Sequence, residues 1–145
     1  MKLSLTNQVK ALKIPVLMLT ALLLIFASCK KQDEATKPLK SKIVGKWAIT
    51  KVETTLAGTV PTTVNGASND YVDFKSGEDD IVEINLSPSL QSGTYSVTVS
   101  NNFFMTIGGK LYACNPSVIT DDKLEFAATE QDATPSVVKK YFLTR

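Results

Sequence analysis

Apolar and polar residues alternate along most of the chain beyond its first third. In the stretch 81–86, for example, Val82 and Ile84 alternate with Glu83 and Asn85. A period of two residues is typical of a β-strand with one buried side and one solvent-facing side. Runs of this kind predict about eight strands, which in chain order are Ile43–Thr55, Tyr71–Lys75, Ile81–Leu86, Thr94–Ser100, Phe103–Ile107, Lys110–Ile119, Lys123–Ala128 and Val137–Thr144.

Short polar segments separate these strands: Ser76–Asp79, Ser100–Asn102, Gly108–Gly109 and Thr120–Asp122. Their residues favour tight turns, and short connections imply antiparallel neighbours. Closing such a meander into a barrel removes its exposed edges. The sequence therefore predicts an all-β domain, an antiparallel up-and-down barrel of about eight strands, with an open β-sandwich as the alternative. The longest loop, Thr54–Asn69, is expected to cover one mouth of the barrel.

The alternation also predicts which side chains face inward. Along 94–100, Tyr95, Val97 and Val99 are expected on the inner face. Phe103 and Phe104 are adjacent on one strand, so only one of them can face the interior.

The first 28 residues have the pattern of a signal peptide. Lys2, Lys10 and Lys13 precede a stretch, 14–27, that is apolar except for Thr20. The hydrocarbon core of a bilayer is roughly 30 Å thick, and this apolar stretch is too short to cross it as a stable helix. We therefore expect residues 1–28 to be removed.

The next residue, Cys29, predicts what replaces the signal peptide. Phe26–Cys29 resembles the bacterial lipobox, although Phe26 stands where that motif usually has leucine. The resemblance implies a lipoprotein with acyl chains such as palmitate on Cys29, and two or three chains anchor a protein stably to a membrane. Residues 29–42 are polar and predict a flexible, lipidated tether.

The start of this tether indicates where the protein is localised. Lys30–Glu34 resembles the charged segment that follows the lipidated cysteine in surface-exposed lipoproteins of the Bacteroidota. This likeness implies the outer membrane with the domain exposed at the cell surface, the periplasmic face being the alternative.

Charge excludes one class of partner. The chain has 16 basic and 14 acidic residues, and removal of the three signal-peptide lysines leaves 13 and 14, a net charge of −1. Nucleic-acid binding needs a basic face, so we expect no nucleic-acid partner.

The residue types also argue against catalysis. The chain has no histidine, and if Cys29 is acylated then Cys114 is the one remaining thiol, without a disulfide partner in its own chain. Cys114 lies in an apolar run, which favours a buried inert thiol. Neither a catalytic triad nor a transition-metal site is expected. The protein is predicted to be a non-enzyme without cofactor or metal.

Two sets of acidic residues are candidate sites. Glu78–Asp80 could offer oxygens to calcium, but it lacks the spacing of a calcium loop and predicts a solvated turn. Asp70 with Asp73, or Glu83 across a strand pair, could form paired carboxylates for acid–base work. Outward-facing carboxylates on strands are ordinary, so neither group changes the prediction.

Several motifs in 43–145 resemble the lipocalin-like domains of small Bacteroidota lipoproteins. Gly45-Lys46-Trp47 looks like the Gly-x-Trp signature of lipocalins. The remaining likenesses are Tyr71–Gly77, Gly93–Tyr95, Thr120–Leu124 and the closing Tyr141–Arg145. The resemblance implies a lipocalin-like β-barrel domain over 43–145. It also implies that Gly45, Trp47 and Arg145 close one end of the barrel, with the arginine lying across the tryptophan ring.

Eight large or branched side chains are candidates to line the barrel interior: Phe74, Tyr95, Val97, Phe103, Met105, Tyr112, Phe126 and Tyr141. They either surround a cavity or fill it. A cavity would make the protein a binder of a small apolar or amphipathic ligand at the outer membrane. A filled barrel would make it a protein-interaction module at the cell surface, such as an accessory subunit of a complex or a hydrolase inhibitor.

Overall fold

The computed structural model describes residues 38–77 and 79–145. These residues contain one short helix, α1 (Leu39–Ile43), and nine strands. The strands are β1 (Gly45–Leu56), β2 (Thr62–Asn65), β3 (Tyr71–Phe74), β4 (Ile81–Leu86), β5 (Ser89–Val97), β6 (Phe103–Ile107), β7 (Lys110–Ile119), β8 (Lys123–Glu130) and β9 (Val137–Thr144). The predicted signal peptide, Cys29 and tether residues 29–37 lie outside the described residues.

The strands close into a barrel. Each strand from β3 to β9 pairs antiparallel with the next strand in the chain. Strand β1 completes the circle, since Ala48 pairs with Tyr71 of β3 and also with Thr144 of β9. Strands β1 and β3–β9 thus form a closed eight-stranded antiparallel barrel, which confirms the predicted fold and excludes the open sandwich.

The ninth strand lies where a loop was expected. Within Thr54–Asn69, strand β2 pairs with residues 51–54 of β1, on the edge that β3 occupies further along. All four residues of β2 are exposed, so no buried position marked this strand in the sequence.

Residues 66–70 connect β2 to β3 and interrupt the strand pairing along this edge of β1. The backbone N–H of Gly66 donates to the carbonyl of Thr50, and that of Ile49 donates to the carbonyl of Asp70, both at 3.0 Å. A Cβ at Gly66 would stand 1.8 Å from the carbonyl oxygen of Ile49. Only glycine permits this close approach.

Helix α1 extends the folded domain toward the N-terminus. Leu39 and Ile43, four residues apart on one helical face, are both buried in the barrel core. The expected boundary between tether and domain at 42/43 therefore falls inside α1, and residues 39–42 belong to the domain. A single helical turn is too short to show a period in the sequence.

Alternating side chains fill the interior. On β6, Phe103, Met105 and Ile107 are buried while Phe104 and Thr106 face outward. This confirms that one of the two adjacent phenylalanines faces inward and the other does not. On β5 the prediction was wrong at its end, because the strand stops at Val97 and Val99 is fully exposed. The N–H of Thr98 donates to the carbonyl of Asn102 at 2.8 Å, and this bond closes a turn of which Val99 is a member.

Candidate functional site

One end of the barrel is covered by Trp47 and Arg145. Trp47 is fully buried, and its Nε1 donates to the carbonyl of Ile43 at 2.7 Å. The guanidinium carbon of Arg145 lies 3.7 Å from the centre of the Trp47 ring. The Nη2 of Arg145 also donates to the carbonyls of Val44 at 2.6 Å and Lys42 at 3.3 Å. Arg145 thus fastens the segment that follows α1 onto this end.

Gly45 has a specific place in this arrangement. Its φ is +111°, a conformation that residues with a side chain rarely adopt. A Cβ at this position would stand 3.5 Å from Nη2 of Arg145. Burial lowers the pKa of Arg145, and the nearby Asp121 opposes that shift. The three residues that the lipocalin resemblance singled out are therefore brought together by the fold.

The eight candidate cavity residues also lie together, but they contact one another. Phe74, Phe103 and Phe126 are fully buried; Met105, Tyr95, Tyr141 and Tyr112 are at most 8% exposed, and Val97 is partly buried. The ring of Phe74 forms edge-to-face pairs with Tyr95 and Phe103 at centroid distances of 5.2 and 5.6 Å. Phe126 stacks on Tyr141 at 4.9 Å. Such edge and stacked pairs are favourable aromatic packing.

Little space remains beside three of these residues. The cavity at the inner ends of Met105, Tyr112 and Tyr141 has a volume of about 10 Å³, also bordered by Gln91 and Lys139. That volume holds about one water molecule. Sites for small molecules usually measure roughly 300–1,000 Å³. In this structure the aromatic residues fill the core.

Gln91 and Lys139 at this cavity were missed by sequence reasoning. Gln91 pairs with the inward-facing Ile84 across β4 and β5, and Lys139 pairs with the inward-facing Ala128 across β8 and β9. The Nζ of Lys139 lies 5.9 Å from the centre of the Tyr112 ring. In the sequence, a polar residue that faces inward near the end of a strand cannot be distinguished from a polar residue in a turn.

Burial disfavours ionisation of two groups in the core. Burial raises the pKa of the Cys114 thiol and of the Tyr141 hydroxyl well above their ordinary values. Cys114 is 1% exposed and free, as the apolar run around it predicted. A neutral buried thiol is a poor nucleophile.

The acidic residues considered for catalysis serve as structural partners. Asp70 is buried, and its two carboxylate oxygens accept the backbone N–H groups of Ala67 and Ser87, both at 2.9 Å. These two bonds lower the pKa of Asp70. Asp73 and Glu83 pair across β3 and β4 and share the ammonium of Lys75, at 3.4 and 3.1 Å.

An open groove of about 480 Å³ lies on the outside of the barrel. Its floor is one cross-strand row of residues from four strands: Thr144 of β9, Ala48 of β1, Tyr71 of β3 and Asn85 of β4. One wall is the interruption Ser68–Asp70, and the other carries Lys46 and Arg145. We call this recess the outer groove. Sequence reasoning did not find it, because its residues come from four separate segments of the chain.

Two features are absent from the residues that the structure describes. No group of three or more His, Cys, Asp or Glu side chains within 38–77 and 79–145 is arranged to hold a metal ion. Glu78, part of the acidic turn considered for calcium, lies outside the described residues. Over the same ranges, no helix has the length and apolar character needed to span a membrane.

Comparisons of the chain with protein-family models, curated proteins and solved structures found no match.

Proposed function

We propose that this protein is a lipoprotein of the outer membrane, anchored through Cys29, whose barrel is a non-enzymatic binding module that acts through its outer surface. The observation that carries this proposal is the filled interior. The residues expected to line a cavity pack against one another, and the cavity beside Met105, Tyr112 and Tyr141 measures about 10 Å³.

The filled interior supports one of the two functions that the sequence left open. A small apolar or amphipathic ligand inside the barrel would need several buried rings to move, and each buried ring contributes about 1.5–3 kcal/mol to stability. A module that binds with its outside needs no such rearrangement. It fits the expected role at the cell surface, where an accessory subunit or an inhibitor meets its partner through exposed residues.

The proposed localisation is supported by the sequence. A basic segment, a short apolar stretch and the Phe26–Cys29 motif support acylation, and Lys30–Glu34 supports export to the cell surface. The absence of histidine and the buried state of Cys114 support a role without catalysis.

Native mass spectrometry of the full lipoprotein, released from the membrane in mild detergent, tests the filled interior. We expect the mass of the polypeptide with its covalent acyl chains, and no other molecule after organic extraction of the protein. A non-covalently bound small molecule that leaves at higher collision energy would favour the ligand-binding function instead.

The anchor and the orientation need separate measurements. A Cys29→Ser variant should be absent from the membrane fraction of the cells, whereas a Cys114→Ser variant should be found in that fraction. Protease treatment of intact cells should degrade the domain if it faces outward. A domain protected until the outer membrane is broken would place it on the periplasmic face.

A further inference from the structure

The depth of the outer groove depends on one small side chain. Ala48 lies in the middle of the floor, between Thr144 on one neighbouring strand and Tyr71 on the other, and it is exposed. A larger side chain at this position would occupy the groove. The volume of about 480 Å³ falls within the range of roughly 300–1,000 Å³ typical of small-molecule sites.

The charges at the groove are unequal. The Nζ of Lys46 lies 3.6 Å from the centre of the Tyr71 ring, and Asp73, which is opposite Lys46 on β3, forms its ion pair with Lys75. Arg145 uses Nη2 for backbone carbonyls, and its planar group has five N–H donors in total. The carboxylate in the wall, Asp70, already accepts two backbone N–H groups. The wall with Lys46 and Arg145 therefore favours a negative charge on a ligand, even with Asp121 near Arg145.

The rest of the lining is polar but uncharged. Ser68, Asn69, Asn85 and Thr144 offer hydroxyl and amide groups, and the Nδ2 of Asn85 donates to the carbonyl of Asn69 at 2.8 Å. This bond fixes the amide, so that its oxygen is positioned as an acceptor. An apolar ligand would leave these groups without partners, at a cost of about 1–3 kcal/mol for each buried group.

We infer that the outer groove binds a small polyhydroxylated carboxylate, of which a sugar acid is the simplest example. The carboxylate meets Lys46 and Arg145, because charged hydrogen bonds to these groups are the strong ones. The hydroxyls meet the amide and hydroxyl groups of the floor and the opposite wall. The inference rests on the proposed function, since it takes the outside of the barrel as the binding surface.

A titration of the full chain in mild detergent with galacturonate tests this inference, with galactose as the matched neutral sugar. Isothermal calorimetry should show saturable binding of galacturonate in a titration to about 10 mM, and binding of galactose roughly tenfold weaker or less. Equal binding of the two sugars, or no binding of galacturonate, would overturn the inference.

Variants place the binding in the groove. Ala48→Phe should abolish it by filling the floor, and Lys46→Met should weaken it roughly tenfold or more. Lys110→Met is the matched control, since Lys110 lies at the β6–β7 turn, outside the groove, and should bind as the unaltered protein does. Unaltered binding by folded Ala48→Phe would contradict the assignment. Amide resonances of Asn69 and Asn85 in the unaltered chain should shift on titration, which tests the location without any substitution.

The two proposals fail in different ways. If galacturonate does not bind and native mass spectrometry finds the barrel empty of ligand, the groove inference falls and the proposed function stands. If a non-covalent ligand is found inside the barrel, the proposed function falls whatever galacturonate does.

Discussion

The guanidinium of Arg145 lies flat against Trp47, with its central carbon 3.7 Å from the centre of the ring. The same guanidinium donates to the carbonyls of Val44 and Lys42, which lead from α1 into β1. One side chain near the end of the last strand thus holds the first strand, the helix before it and the buried tryptophan in one arrangement.

Arg145→Ala should lower the free energy of unfolding by about 1–3 kcal/mol, because it removes a cation–π contact and two hydrogen bonds to carbonyls. Exposure of the indole to water should also shift the emission of Trp47, the one tryptophan in the chain, to longer wavelength. Denaturant unfolding and fluorescence measure the two effects. Lys110→Ala, which removes a positive charge elsewhere, serves as the control. An Arg145→Ala protein with unchanged stability and unchanged emission would show that the contact contributes nothing.

Gly66→Ala should destabilise the protein by roughly 1–3 kcal/mol, because its Cβ would stand 1.8 Å from the carbonyl oxygen of Ile49 and force the backbone apart. Gly77→Ala is the matched control, since a Cβ at that position meets no atom of the described residues within 4 Å. Thermal unfolding of both variants should separate them. Equal stability of the two would mean that the interruption between β2 and β3 is not packed as described.

Phe103→Ala should cost about 3–5 kcal/mol, the usual loss when a large side chain is removed from a core. Its neighbour Phe104, 37% exposed on the outer face, provides a control of the same residue type. Phe104→Ala should cost about 1 kcal/mol or less. Urea unfolding compares the two. A small loss at Phe103 would indicate that this ring lines a ligand cavity rather than completing a packed core.

Asp70 should make the stability depend on pH. The N–H groups of Ala67 and Ser87 lower its pKa in the folded protein. Its stabilising effect is therefore complete above the ordinary aspartate pKa of about 3.9 and is lost as the pH falls through the lower pKa of the folded state. Asp70→Asn should lower the melting temperature at neutral pH, and the difference from the unaltered protein should shrink below about pH 4.

Asp132→Asn controls for the loss of a carboxylate, because Asp132 is exposed and asparagine tolerates its φ of +62°. Its melting temperature should follow that of the unaltered protein across the pH range. A constant difference between Asp70→Asn and the unaltered protein down to pH 2 would contradict the role of the charged carboxylate.

The barrel could be predicted because its signals are local. Alternation on β4 and β6 marks one buried side, and the Gly-Gly turn between β6 and β7 marks antiparallel pairing. Strand β2 could not be found in this way, since its four residues are all exposed. Helix α1 is one turn long, and the burial of Leu39 could not be predicted because it depends on contact with the folded barrel.

The site was less accessible to sequence reasoning. The same eight side chains can surround a cavity or fill it, and the choice depends on how rings from β3, β5, β6 and β8 meet. The outer groove depends on the register of four strands, which brings Ala48 between Tyr71 and Thr144. Neither relationship is encoded in neighbouring residues.

The most direct test of a filled barrel is the binding of a fluorescent fatty acid to residues 29–145 of the chain, carrying Cys29→Ser so that position 29 cannot be acylated. Fluorescence should rise only in proportion to the added dye, without saturation, and unlabelled fatty acid should displace nothing. Saturable fluorescence that unlabelled fatty acid displaces would contradict a barrel whose interior is occupied by its own aromatic side chains.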